Sequence, residues 1–210
     1  MLRTLAHTLV AVVLLLSAPA ARAQAQGGRG QVHVGFGVGL EPVRPASATD
    51  HISPPAVGLY LPIQLTPAIR IEPSLALATF SQSTAAAQAS GPLSWSSLEL
   101  GVAGHFYLVP PSPVGIYLGG RLALGFESQK DVGAGANPPV TRTTATNLTL
   151  AGVLGGEYFV HHAFSVGAEA QLGLTFLGDR RVEAPNGTTT GLSRDGALAT
   201  HGVVYLRYFF

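Results

Sequence analysis

Val204, Leu206, Tyr208 and Phe210 fall at every second position of the last run of the chain, so an extended strand puts all four on one face. An exposed, flat, apolar strand at the edge of a sheet is a template for aggregation. A chain carrying one must pair it and keep its apolar row out of water. A closed barrel does both, because the last strand pairs with the first and the apolar row turns toward hydrocarbon.

The amino terminus reads as an export address. Arg3 gives a positive start, residues 8–16 form an apolar core too short to cross a bilayer, and Ala21-Arg22-Ala23 is a small-x-small cleavage pattern. Residues 1–23 are therefore expected to be a signal peptide, cut after Ala23, and residues 24–210 a barrel domain. No other stretch approaches the roughly 20 apolar residues of a membrane helix. There is no cysteine, so neither a lipoprotein anchor nor a disulfide framework is expected. The signal takes Arg3 and Arg22 from the 12 basic residues, leaving 10 against 11 acidic ones, a balance that does not point to nucleic acid. Only 11% of residues are charged and the mean hydropathy is +0.33. That is odd for a secreted soluble protein and ordinary for one surrounded by lipid.

Alternation with period two marks eight strands, near residues 31–40, 56–65, 68–80, 94–109, 114–127, 145–160, 163–177 and 197–210. Their connections alternate in length. Thr66-Pro67, residues 110–113 and His161-His162 are tight turns, whereas residues 41–55, 81–93, 128–144 and 178–196 read as long loops rich in Ser, Thr, Ala, Gly, Pro and Asn. Short turns at one end and long loops at the other are the pattern of a bacterial barrel with both termini in the periplasm.

The two faces differ in chemistry. In the fifth strand Ile116, Leu118, Leu122, Leu124 and Phe126 oppose Tyr117, Gly119, Arg121, Ala123, Gly125 and Glu127. The seventh sets Phe164, Val166, Leu172, Leu174 and Phe176 against Ser165, Gly167, Glu169, Gln171 and Thr175. A soluble barrel such as a lipocalin inverts this, with an apolar lumen and a charged exterior, yet the only lysine here is Lys130. Glycines on the polar face, among them Gly35, Gly37, Gly39, Gly101, Gly119, Gly125 and Gly173, suit a narrow interior where large side chains need very small neighbours. Phe106, Tyr158, Phe164, Tyr208 and Phe210 fall near one end and Phe126 and Phe176 near the other, as two interfacial girdles. The fold class is all-β: an eight-stranded, antiparallel, up-and-down transmembrane β-barrel.

The chain resembles the small outer-membrane barrels grouped around the OmpA transmembrane domain and OmpX, and more distantly OmpW, over about residues 31–210. The most specific element is Gly202-Val203-Val204-Tyr205-Leu206-Arg207-Tyr208-Phe209-Phe210, similar to the terminal signal read by the barrel-assembly machinery. The resemblance implies a bacterial outer-membrane location and contact with outer-membrane lipid and lipopolysaccharide. It also implies that machinery as a partner in biogenesis, through Val204, Leu206, Tyr208 and Phe210. Full-length OmpA adds a peptidoglycan-binding domain, for which this chain has no counterpart, so a cell-wall tether is not implied.

Parity assigns Arg70, Glu72, Glu99, His105, Arg121, Glu127, Glu157, Glu169 and Arg207 to the lumen. By height, Arg70, Glu72, His105, Glu157 and Arg207 form a low layer and Glu99, Arg121 and Glu169 a middle one. Opposite charges in a poorly hydrated lumen are expected to pair, because a lone buried charge costs roughly 3–5 kcal/mol when its partner is removed. Arg121 is expected to pair with Glu99 and Glu169. The favoured reading is a salt-bridged plug in a non-enzymatic, monomeric protein with a structural or surface-interaction role. The alternative is a narrow pore for small solutes, gated by switching pairs.

Catalysis finds little support. Lipid A deacylases pair a His and a Ser two residues apart. The nearest pattern here is His162 with Ser165, at a different spacing and at the periplasmic end. His161-His162 has no third metal ligand nearby in sequence. Gly35 to Gly39 lies inside a strand with no helix following, so it cannot cradle phosphate, and no cofactor is expected. Asn147-Leu148-Thr149 and Asn186-Gly187-Thr188 match glycosylation acceptors, a signal of little weight in a bacterial envelope. Asp179-Arg180-Arg181, the densest loop charge cluster, offers guanidinium groups that suit lipopolysaccharide phosphates.

Overall fold

The computed structural model describes residues 32–42, 55–82, 93–109, 113–133, 139–192 and 196–210. The expected signal peptide lies outside them. The described residues form ten strand segments: β1 (His33–Pro42), β2 (Pro55–Tyr60), β3 (Ile63–Thr66), β4 (Ile69–Gln82), β5 (Leu93–Val109), β6 (Val114–Val132), β7 (Val140–His161), β8 (Phe164–Ala184), β9 (Gly187–Leu192) and β10 (Gly196–Phe209). All pair antiparallel, in the order β10-β1-β2-β4-β5-β6-β7-β8, and β8 pairs back to β10, so the sheet closes.

Ten segments make eight staves. β2 and β3 both lie between β1 and β4 and are one stave broken at residues 61–62. Proline cannot donate to a ladder, and here Pro62 accepts instead, through its carbonyl, from the Gly35 amide at 2.8 Å. β9 and β10 both pair with β8 and form the eighth stave. At the seam Gly35 pairs with Phe209 and Leu40 with Val204, and the Phe210 amide donates to the Val34 carbonyl at 2.9 Å.

Two expected loops are instead strand for most of their length. Residues 128–144 fall largely on β6 and β7, whose ladder runs out to Val132 opposite Val140, so Lys130 sits on a strand. Of residues 178–196, residues 178–192 form a β8–β9 hairpin turning at Pro185-Asn186. Gly187, at φ 134°, completes that turn in a conformation L side chains rarely adopt. Thr141, Thr143, Thr144 and Thr146 explain the β7 extension, because β-branched residues favour strands.

Outward positions are apolar and exposed: Leu100, Leu122, Leu150, Leu172 and Val204 each show 45–59% of their surface. A water-soluble fold buries such residues. Inward positions hold Tyr60, Tyr107, Tyr117, Val153, Val203 and Tyr205, packed as one buried cluster. A Cβ on Gly58 would overlap the Tyr60 ring, one on Gly155 the Tyr117 ring and one on Gly167 the Tyr205 ring. Each ring therefore lies over a glycine of the barrel wall.

Candidate functional site

Arg207 on β10 is the hub of the lower lumen. Its Nη2 donates to Glu72 Oε1 at 2.7 Å and to Glu169 Oε1 at 3.2 Å, and its Nη1 to Glu157 Oε2 at 3.2 Å. Its guanidinium lies 3.5 Å from the Tyr205 ring centroid. Arg70 on β4 forms a fork with Glu157, Nη2 to Oε1 at 2.7 Å and Nη1 to Oε2 at 3.1 Å, while its Nε donates to Gln64 Oε1 at 2.9 Å. Glu157 also accepts from Tyr107 and from Ser165 Oγ. Glu169 accepts from Tyr117 at 2.6 Å and from Gln171 at 3.0 Å. These carboxylates and guanidiniums are more than nine-tenths buried, a setting in which ions persist only when paired and hydrogen-bonded.

Above this cluster Arg121 on β6 donates to Glu99 at 2.9 Å and to Glu41 at 3.1 Å. Glu169 is not its partner, which corrects the expected pairing: Glu169 belongs to the lower network through Arg207, Tyr117 and Gln171. Parity fixes a residue's face but not its height, which depends on strand stagger. Glu41 falls in an expected loop by sequence, yet it continues the inward series of Gly35, Gly37 and Gly39 on β1. It also accepts from the Tyr60 hydroxyl. Glu127 accepts from Asn147 Nδ2 at 3.0 Å.

On the side of β7, β8 and β10, burial divides the interior in two. Going down β7, inward residues to Ala151 are half-exposed and Val153, Gly155 and Glu157 are buried. On β10 the same change falls between His201 and Val203, and on β8 between Thr175 and Gly173. On β2, β4 and β5 Ala56, Ala76, Ala78 and Trp95 stay buried in the outer half, which is half-exposed along Thr149, Thr175 and Ala199. Below it the aromatic and ionic side chains fill the section.

His105 faces this lower packing from β5, its ring 4.6 Å from that of Tyr117. It pairs in register with Gly119, where a Cβ would come within 2.8 Å of the imidazole. Ser165 and His162 do not form a nucleophile and base: Ser165 is fully buried against Glu157, whereas His162 is exposed and stacks on His161 at 3.7 Å.

An apolar belt facing outward around a closed, polar-cored sheet defines a transmembrane β-barrel. The chain belongs to the outer membrane protein beta-barrel domain family, whose model matches residues 8–194. Its location is the bacterial outer membrane. The fold is similar to that of a major outer membrane protein from Thermus thermophilus, with 12% identity, 85% of this chain and 99% of that chain covered, and a TM-score of 0.57. Ail, the attachment invasion locus protein of Yersinia pestis, is 14% identical over 87% of this chain and 100% of its own. Its TM-score is 0.51 in one structure and 0.55 in another, a complex with the heparin analogue sucrose octasulfate. No curated protein matches the chain.

Proposed function

We propose that this protein is a non-conducting, non-catalytic outer-membrane scaffold whose salt-bridged plug holds the barrel rigid while its outer hairpins meet partners at the cell surface. The observation that carries this reading is the burial change at Val153 and Val203, below which Arg70, Arg207, Glu157, Glu169 and the tyrosines fill the lumen. An eight-stranded barrel is just wide enough for side chains to fill it.

The hairpins offer the surface. Lys130 pairs in register with Arg142, and Arg142 with Glu183, around a groove of about 300 Å³ at the outer end. With Arg180 and Arg181 exposed nearby, these cations suit the phosphates of lipopolysaccharide. During biogenesis the outward row of Val204, Leu206 and Tyr208 is the surface proposed for the assembly machinery.

A second reading, a narrow pore gated by switching ion pairs, draws on Arg121, which two separate carboxylates, Glu41 and Glu99, hold at once. Planar-bilayer recording of refolded protein separates the two. A silent membrane supports the plug, and discrete, reproducible steps support the pore.

A further inference from the structure

Glu72 on β4, His105 on β5 and Glu169 on β8 meet in the lower lumen. One ligand-capable atom from each lies within 4.8 Å of the others, and all three residues are buried. The carboxylates are already oriented, since Arg207 Nη2 binds Glu72 Oε1 and Glu169 Oε1, while Tyr117 donates to Glu169 Oε1 and Gln171 to Glu169 Oε2. The remaining donors are not satisfied. Glu72 Oε2 and both ring nitrogens of His105 have no hydrogen-bond partner among the described residues, and His105 Nε2 stops 3.8 Å from Glu169 Oε1. Leaving such groups unpaired in a buried site is costly.

Charge points the same way. Among the described residues of the lower lumen, three buried carboxylates, Glu72, Glu157 and Glu169, face two buried guanidiniums, Arg70 and Arg207, so the formal balance there is negative. We infer that Glu72, His105 and Glu169 form a buried site for a divalent transition-metal cation. One imidazole nitrogen with two carboxylates is a donor set that Zn²⁺ accepts. Glu72 is placed to bridge, with Oε1 kept by Arg207 and Oε2 given to the ion. Gln171 and Tyr117 act as the outer partners that fix a metal-binding carboxylate. Ligands about 2.0–2.2 Å from a shared ion require the three donors to draw closer than the 4.8 Å within which they now stand.

The test is calorimetric titration of the refolded, tag-free barrel with Zn²⁺ alone. The expected result is one ion per barrel, with binding weakened roughly 10-fold or more by His105→Gln and by Glu72→Gln. The double variant His161→Ala/His162→Ala, which removes the stacked surface pair, is expected to bind as the parent does. X-ray absorption on the Zn²⁺-loaded parent covers the case in which a lumen variant fails to fold: a single imidazole with oxygen donors supports the site. Absence of binding by the parent, binding that survives His105→Gln, loss in the His161/His162 variant, or a shell with two imidazoles or none each overturns it.

Discussion

Arg207 Nη2 donates to Glu72 Oε1 at 2.7 Å across 135 positions of chain, joining the closing strand to β4, three staves away around the wall. The contact crosses the lumen rather than following the ladder, so it ties together strands that share no backbone hydrogen bond. Arg70 with Glu157 does the same from β4 to β7. The interior is thus cross-braced by charge where a soluble barrel would use hydrocarbon.

Removing the hub exposes what it holds. Arg207→Met is expected to leave Glu72 and Glu169 without a guanidinium partner and to lower unfolding stability by about 3–5 kcal/mol, the scale for orphaning a buried ion. Urea titration of the barrel in lipid vesicles measures it.

Leu122 faces outward from β6 and is 45% exposed. Leu122→Arg places a cation in hydrocarbon and is expected to cost about 2–4 kcal/mol near the midplane. The check is folding yield into bilayers, read as the heat-modifiable band on a gel.

Gly155 and Gly152 sit three positions apart on opposite faces of β7. A Cβ on Gly155 would overlap the Tyr117 ring, whereas nothing lies within 4 Å of one on Gly152. Gly155→Val is expected to destabilise by about 1–3 kcal/mol through overpacking, and Gly152→Val to be tolerated on the lipid side. Parallel thermal melts compare them.

Arg121→Ala strips the shared cation from Glu41 and Glu99. The expected outcome is a lower melting temperature with no conductance, because the packing at Val153, Val203 and the tyrosines lies below it. Conductance appearing in this variant favours the pore reading.

Deleting Phe210 is expected to reduce the folded barrel recovered from outer membranes. In purified form the loss includes the Phe210 amide bond to Val34 and the ring contact with Tyr208 at 5.5 Å. Comparing assembly in cells with refolding in vesicles separates recognition from stability.

The alternation of Leu118, Leu122 and Leu124 with Tyr117, Arg121 and Ala123 made the stave count and the lipid face legible, because a bilayer on one side imposes a strict period of two. Beyond the membrane that pressure vanishes. With water on both faces, the outer halves of β7 and β8 carry only threonine propensity and the turn signal Asn186-Gly187, which reads equally as part of a sugar acceptor. Lumen partners were hidden for a different reason. The heights of Glu99, Glu169 and Arg121 depend on stagger, and stagger is altered by irregular register between Tyr107 and Val109 and between Phe159 and His161.

The seam between Gly35 and Phe209 makes the earliest and latest strands of the sheet mutually dependent. Until β10 arrives, every partial sheet keeps two unsealed rims whose amides and carbonyls have no satisfactory neighbour in lipid. Ring closure is then a contact of maximal sequence separation, the kind that forms slowly. A factor that hastens insertion has one geometric duty, to hold those two rims within reach of each other until the zipper between β1 and β10 is complete.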